Sequence, residues 1–309
     1  MARVVFMGTP DFAVPTLRAL LDHFDVVGVV TQPDRPAGRG RAVRESPVKR
    51  VAVQAGVPVF QPKTLRTPEA VAQLASWSPE VIVVAAFGQI LRQNVLDLPP
   101  HGCINVHASL LPRWRGAAPI QAAIRAGDAV SGVTIMRMDA GLDTGPILAQ
   151  RAIPLAPRET ASTLHDRLAA LGADLLVETL PGYLAGAVQP QPQPDDADQI
   201  TLAPSIKKEE GVIDWSRPAA EIDRLVRAFD PWPGTFTTWA GQTLKILAGH
   251  PVAGSAPPGR VLAQDAGIAV GTGAGLFALE RVQLEGRKAL PVDEFARGRP
   301  DFMGSVLGQ

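Results

Sequence analysis

The chain has 309 residues, of which 46% are apolar, and its 30 basic side chains balance 30 acidic ones. This length and apolar content exclude wholesale disorder and allow two domains, while the balanced charge excludes a general polycation. The single cysteine, Cys103, excludes an intrachain disulfide and a zinc site made of cysteines. No apolar run approaches the roughly 20 residues of a transmembrane helix, so a cytoplasmic protein without a membrane partner is expected. A monomer is also expected.

The first part of the sequence alternates short apolar runs with amphipathic ones. The spacing predicts strand 4–7, helix 10–24, strand 26–30, helix 47–55, strand 57–60, helix 68–77 and strand 81–86. A repeated strand–helix order of this kind is typical of a parallel sheet covered by helices on both faces. The sequence therefore predicts a Rossmann-like α/β domain with a parallel sheet.

This first domain is predicted to extend to residue 188. Its later elements are a strand ending at His107, helix 117–126, strands 133–138 and 147–153, and a long helix that begins at Thr160 or Ser162 and ends at Leu184, before Gly186. Residues 189–205 follow, starting with alternating glutamine and proline and showing no apolar periodicity. Such a composition predicts a stiff, extended linker.

A smaller second domain is predicted over residues 206–309. After a helix starting at Ser216 or Pro218, the pattern changes to short β-type runs separated by glycine and proline. These runs are 235–239, 244–247, 261–264, 268–270 and 276–282. Their number and length predict a small antiparallel barrel or sandwich, with an OB-like barrel as the preferred form. Trp232, between Pro231 and Pro233, is predicted to pack in the interior rather than to offer a base-stacking surface.

Three polar residues stand at the ends of two apolar runs. Asn105 and His107 are two residues apart, so on a strand both side chains project from one face. Asp143 lies in the glycine-rich turn 141–145 that follows the apolar run 133–136. A lone strand histidine or turn aspartate is more often structural. An amide, an imidazole and an acid together, at the carboxyl end of a parallel strand, suit acyl transfer.

A basic loop is predicted over residues 34–50, which hold six basic and two acidic side chains and a net charge of +4. Gly38 and Gly40 flank Arg39 and make the backbone permissive. The composition alone fits a solvated surface loop, and it also fits an arm that grips phosphates and orders on binding. Neither Gly8 nor the turn 271–275 has the glycine spacing of a dinucleotide or phosphate-binding loop.

Longer motifs carry a resemblance to a known family. They are FMGTPDF (6–12), TQPDRPAGRG (31–40), SPVK (46–49), NVHASLLPRWRGAAPIQ (105–121), GLDTG (141–145), IDW (213–215) and RAFDPWP (227–233). On these motifs the chain resembles the folate-dependent formyltransferases, and among them the methionyl-tRNA formyltransferase family. The resemblance covers nearly the whole chain. Small departures occur beside the site, where Ala108 stands at a variable position and Phe87 replaces a frequent tyrosine.

The resemblance implies both a reaction and its residues. In this family the formyl group of 10-formyltetrahydrofolate passes to the amino group of methionine on initiator tRNA, for translation initiation, and no metal is expected. Asn105, His107 and Asp143 match the catalytic residues. Matching positions for substrate binding are Ser109, Leu110, Leu111 and Pro112 for folate, and Arg35, Arg39 and Arg41 for tRNA. Arg39 is the strongest of the three arginine candidates.

Two alternatives stay open at the level of sequence. One is a formyltransferase that acts on a small amine, such as an amino sugar nucleotide or glycinamide ribonucleotide. It would need neither the basic loop nor the second domain for tRNA. The other is an RNA-binding protein without catalytic activity on the same scaffold, which would have no need to keep Asn105, His107 and Asp143 together.

Overall fold

The computed structural model describes residues 1–37, 42–265 and 267–308. Within the described part of residues 1–203, eleven strands and six helices form. The strands are β1 (Arg3–Gly8), β2 (Asp25–Val30), β3 (Arg35–Ala37), β4 (Ala42–Arg44), β5 (Val59–Phe60), β6 (Val81–Ala85), β7 (Cys103–His107), β8 (Arg115–Gly116), β9 (Val130–Arg137), β10 (Ile147–Pro154) and β11 (Leu202–Ala203). The helices are α1 (Ala13–His23), α2 (Pro47–Gln54), α3 (Pro68–Ser76), α4 (Gln93–Leu96), α5 (Pro119–Ala126) and α6 (Ala161–Leu184).

Seven of these strands form one sheet in the order β10-β9-β7-β6-β1-β2-β5. The five strands from β7 to β5 are parallel, whereas β9 runs antiparallel to β7 and β10 antiparallel to β9. All five residues of β6 are buried, as expected for a strand covered on both faces. The predicted Rossmann-like fold is confirmed. Because β9 and β10 are antiparallel, a short loop, 138–146, joins them, and this loop carries Asp143.

Local sequence signals explain where most helices begin. Ser46 and Thr67 cap α2 and α3 by accepting from the backbone N–H groups three residues later, and a proline follows each cap. Thr160 does the same for α6. The predicted start of α1 at residue 10 is wrong, because residues 10–12 form a turn in which the N–H of Ala13 donates to the carbonyl of Pro10.

The segment predicted as a linker is bonded to other parts of the chain. Gln191 exchanges two backbone hydrogen bonds with Ile147, at 2.7 and 2.8 Å. Further along, β11 pairs in parallel with β8. Glutamine and proline without periodicity gave no signal for this pairing, which is made by backbone groups rather than by apolar side chains.

The chain divides into two compact units. The first comprises Met1–Pro119, Val130–Pro154 and His165–Ala203. The second comprises Ile120–Ala129, Leu155–Leu164 and Pro204–Gln309. Among the described residues, no helix combines the length and the apolar character needed to cross a membrane.

The second unit is built around an antiparallel sheet. Its elements are α7 (Ala219–Ala228), β12 (Thr235–Trp239), β13 (Gln242–Val252), β14 (Val261–Gln264), β15 (Gly267–Gly271), β16 (Leu276–Leu284), β17 (Leu290–Pro291) and α8 (Val292–Arg297). The strand order is β12-β13-β16-β15-β14, with β17 beside β16. The C-terminal segment bridges the two edge strands, since Gly308 donates to the carbonyl of Thr238 and Val261 donates to that of Ser305. The predicted antiparallel β domain is confirmed.

Aromatic residues form the centre of this second core. Trp239, Phe295 and Phe302 are buried and meet edge to face, with ring centroids 5.1 to 5.5 Å apart. The prediction that Trp232 packs in the interior is wrong, because 57% of this residue is exposed. Phe229, three residues earlier, takes the interior position and is fully buried.

Candidate active site

Strand β7, an interior strand of the first sheet, carries Asn105 and His107 at its carboxyl end. Asn105 pairs with Val84 of β6 on one side and with Met136 of β9 on the other. Val106, between them, faces the opposite side, where α6 approaches so closely that a Cβ on Gly172 would lie 2.6 Å from Val106 Cγ1. Asn105 and His107 therefore share the other face, as their two-residue spacing predicts.

His107 is buried and its ring is held in one tautomer. Nε2 lies 3.1 Å from the carbonyl oxygen of Trp114. A carbonyl can only accept, so Nε2 carries the proton of the neutral ring and Nδ1 is left with its lone pair. Nδ1 lies 3.8 Å from Asp143 Oδ2, so any proton that the ring gains faces that carboxylate.

Asp143 is held in a defined orientation by its loop. Its φ is +52°, a conformation that non-glycine residues adopt at some energetic expense. Oδ2 accepts a hydrogen bond of 2.8 Å from the backbone N–H of Gly116. The turn itself is stabilised by Asp139, which accepts from the hydroxyl of Thr144 and the N–H of Gly141. Because Asp139 makes these hydrogen bonds within the turn, the Asp143 carboxylate is left to face Gly116 and His107.

The Asn105 carboxamide is half-buried, and no group in the described ranges hydrogen-bonds to it. An amide that is shielded from water but lacks a protein partner is suited to donate to a ligand. The structure thus brings His107 and Asp143 together and presents Asn105 on the same face of the same strand.

The segment from Ser109 to Pro112 follows β7 directly and is held by one hydroxyl. Thr134 Oγ1 accepts from the N–H of Leu111 at 3.1 Å and donates to the carbonyl of Ser109 at 2.7 Å. Gln150 Nε2 donates to the same hydroxyl and to the carbonyl of Leu111. Ser109 uses its own hydroxyl to bond the carbonyl of Arg113. Sequence reasoning missed Thr134 and Gln150. The one available signal was a threonine inside the apolar run 133–136.

Leu110 and Pro112 of this segment differ in exposure. Leu110 is half-buried and packs over β9, where a Cβ on Gly132 would lie 2.6 Å from Leu110 Cδ2. Pro112 is buried and follows a cis peptide bond. Residues Ser109 to Pro112 therefore form one ordered segment, the wall of the candidate site, which directly follows the strand that carries His107.

The basic loop is described only at its ends. Arg35 belongs to β3, which pairs with β4, while Arg39 and Arg41 lie outside the described residues. At the base, the ammonium of Lys49 bonds Asp34 and also pairs with Glu45 at 3.2 Å. The Lys49 bond lowers the pKa of Asp34, and the same bond raises the pKa of Lys49. Lys49 therefore ties together two acidic residues on opposite sides of β3 and β4.

Cys103 lies at the start of β7. Burial raises the pKa of its thiol to about 12, so it is a neutral core side chain at physiological pH. Among the described residues, no cluster of three or more histidine, cysteine, aspartate or glutamate side chains is arranged to hold a metal ion.

Comparison with known proteins shows which family the chain belongs to. Residues 2–180 match the formyl transferase family, and residues 205–300 match the formyl transferase C-terminal domain. The chain belongs to the formyl transferase family. It is 52% identical to the methionyl-tRNA formyltransferase of Magnetococcus marinus, over 99% of this chain and 98% of the relative. It is 51% identical to the methionyl-tRNA formyltransferase of Pseudomonas entomophila, over 99% of this chain and all of the relative.

A solved formyltransferase shares the fold at lower identity. The N-formyltransferase of Helicobacter canadensis, in complex with folinic acid and dTDP-3-aminofucose, has a TM-score of 0.67 and 19% sequence identity. The likeness covers 90% of this chain and 99% of that one. The family resemblance seen in the sequence motifs is confirmed, and the protein is a formyltransferase.

Proposed function

We propose that this formyltransferase transfers the formyl group of 10-formyltetrahydrofolate to the amino group of methionyl initiator tRNA. The reaction would serve translation initiation in the cytoplasm, with the protein acting as a monomer. Relatives that carry this activity in their names match the chain over its whole length at about half identity. The observation that carries the proposal is the His107–Asp143 pair beside Asn105, whose carboxamide has no hydrogen-bond partner among the residues that the structure describes.

The two domains would divide the work. Residues 1–188 would form the catalytic domain with its folate site, 189–205 a linker, and 206–309 an OB-like domain that binds tRNA. Folate would lie against the ordered wall Ser109–Pro112. A formyltransferase of the same fold is known with folinic acid, which supports a folate donor. This co-substrate supplies the formyl group, and the chain's own residues orient it and move protons.

Asn105 would stabilise the developing negative charge. The attacking amine has an ordinary pKa of about 7.7, so a useful fraction is neutral at pH 7. As it adds to the formyl carbon, the carbonyl oxygen becomes an oxyanion, and the Asn105 N–H would donate to it. Removal of one such donor typically raises the barrier by about 2.7–4 kcal/mol.

His107 and Asp143 would handle the proton. With Nε2 engaged by Trp114, Nδ1 is the ring nitrogen that can take a proton from the attacking amine. The imidazolium so formed has Asp143 Oδ2 3.8 Å away to balance its charge. The proton can then pass to the folate nitrogen as the carbon–nitrogen bond of the donor breaks. His107 would therefore act as the proton carrier rather than as a second donor to the oxyanion, because Nε2 bonds Trp114 and a proton on Nδ1 faces Asp143.

The basic loop would bind tRNA through phosphates. Arg35, Arg39 and Arg41 are the proposed contacts, and Arg39 is expected to contribute most. Such contacts set affinity rather than the chemical step.

One assay tests the function directly. Tetrahydrofolate release from 10-formyltetrahydrofolate is measured with charged initiator tRNA, charged elongator tRNA and free methionine as acceptors. Fast release with initiator tRNA alone is expected. Equal release with free methionine or another small amine would instead favour an enzyme for small amines. No release with any acceptor would leave only the RNA-binding alternative.

A further inference from the structure

Gln193 reaches the candidate site from the segment predicted as a linker. From Gln191 to Gln199 it is the one residue that is not exposed. Its Nε2 donates to the carbonyl of Asp143 at 2.7 Å and to that of Gly145 at 2.8 Å. Its Oε1 accepts from Nη2 of Arg115 at 2.7 Å and from Nε at 3.1 Å. Both amide hydrogens and both acceptor positions are therefore used.

These bonds join the two segments that meet at the Asp143 carboxylate. Gly116, next to Arg115, donates its N–H to Asp143 Oδ2. Gln193 holds Arg115 on one side and the backbone of Asp143 on the other, so the three residues and Gly116 form a closed ring. Asp143 has a positive φ, a conformation that persists only where surrounding groups fix it.

We propose that Gln193 is a positioning residue, which orients the Asp143 carboxylate towards His107 by holding the backbone on both sides of Thr144. The proposal rests on the catalytic role of Asp143 given above. Gln193 acts through Asp143, since its amide is fully engaged by protein groups.

Gln193 is not needed to attach its own segment to the neighbouring strands. The segment has other attachments, because Gln191 pairs with Ile147 and Thr201 bonds the N–H groups of Trp114 and Arg115. β11 adds its pairing with β8. With these bonds intact, loss of the Gln193 amide leaves the segment attached to its neighbours. The same loss frees the Asp143 loop, because that loop loses its hydrogen bonds to Gln193.

The test combines two Gln193 variants with an Asp143 variant. Gln193→Met removes all four bonds, whereas Gln193→Glu keeps the Arg115 contact and places a carboxylate against two carbonyl oxygens. Each is expected to lower kcat about tenfold, since small misplacements of catalytic groups carry penalties of this order or larger. KM values for tRNA and folate are expected to stay within about twofold of wild type.

The decisive reading is made in an Asp143→Asn background, which keeps the backbone bonds and removes the carboxylate. There, single-turnover transfer of a radiolabelled formyl group is expected to change less than about twofold when Gln193→Met is added, because the two changes act on one group. Gln191→Met is the matched control. Within the described ranges, its exposed side chain donates only to the carbonyl of Gln189, so kcat is expected to be normal.

Each outcome decides the proposal. Normal kcat in Gln193→Met, or an equal loss with and without the Asp143 carboxylate, would overturn it. If Gln193→Met does not fold, Gln193→Glu gives the same reading, and a normal rate there would overturn the proposal too. Normal turnover in Asp143→Asn with Gln193 intact would remove Asp143 from the mechanism. That result is separate from any Gln193 effect, and it would end the positioning role as well.

Discussion

The candidate site and the base of the basic loop are held in different ways. At the site, uncharged groups interlock: the hydroxyl of Thr134 and the amide of Gln193 bond two backbone groups each, and the amide of Gln150 bonds the Leu111 carbonyl and the Thr134 hydroxyl. At the loop, Lys49 joins Asp34 and Glu45 with a side chain that is 19% exposed. Buried polar bonds fix geometry because a lost partner leaves an unsatisfied group, while ion pairs near water are weak and sensitive to salt. The first arrangement holds the candidate catalytic groups in a fixed geometry, and the second joins the two ends of the proposed tRNA-binding loop.

The largest effect is expected at the site itself. In Asn105→Ala, kcat should fall about 100- to 1,000-fold because one oxyanion donor is lost, while folate affinity stays near wild type. Single-turnover formyl transfer and equilibrium folate binding measure the two quantities. Asn94→Ala, at an exposed position of α4, is the control and should have normal kcat. A loss below about threefold in Asn105→Ala would remove the amide from the mechanism.

A smaller effect is expected where the wall of the site is held. Thr134→Val keeps the shape but leaves the Leu111 N–H and the Ser109 carbonyl without their partner. The free energy of unfolding should drop by about 1–3 kcal/mol, measured by urea denaturation.

The control for Thr134 is Thr238→Val on β12. The Thr238 hydroxyl is half-exposed and has no hydrogen-bond partner within the described ranges. This variant should change the free energy of unfolding by no more than about 0.5 kcal/mol. Equal effects of the two substitutions would mean that the wall does not depend on Thr134.

The smallest effect is expected at the base of the basic loop. Lys49→Met should raise KM for tRNA by roughly threefold and leave folate KM and saturated kcat unchanged, because it frees the ends of the loop without touching the site. Lys63→Met, at an exposed position outside the loop, is the control. A fall in saturated kcat with no change in tRNA KM would contradict the division between the two regions.

The same region predicts a flat pH dependence. The pKa of Asp34 is lowered from 3.8, so its contribution is present above pH 3.8 and is lost as pH falls through the lowered value. The pKa of Lys49 is raised from 10.5, so its contribution is present below pH 10.5 and is lost as pH rises through the raised value. Between these limits, added salt rather than pH should reduce the contribution of Lys49 to tRNA binding.

Sequence periodicity predicts the parts of the molecule that depend on apolar burial. It predicts the seven strands of the first sheet and five of the six strands of the second, missing β17 and the last five residues of β13, and it places Asn105 and His107 on one face. The sequence also predicts that Asp143 lies at the same edge of the sheet as Asn105 and His107, because ligand sites of such sheets lie at the ends of strands. It does not predict the supports of the site. Gln193 lies in a segment without periodicity, and its bonds to two carbonyls come from tertiary structure alone.

The ring orientation of His107 is a second feature beyond the reach of sequence. Its tautomer is set by the carbonyl of Trp114, a residue with φ of +65° in an irregular loop. No side-chain pattern reports where a backbone carbonyl points. For Trp232 the sequence predicts burial and the prediction is wrong. This apolar residue between two prolines is exposed, whereas Phe229 is buried in the core.

The central claim is that three side chains converge on the reacting carbonyl. A crystal structure of the protein with a 10-formyl folate analogue that cannot transfer its formyl group tests this most directly. The formyl oxygen is predicted to lie within about 3.2 Å of the Asn105 carboxamide nitrogen, on the face that His107 and Asp143 share. A formyl group more than about 6 Å from all three side chains would contradict the claim, since no direct hydrogen bond or proton transfer spans that distance.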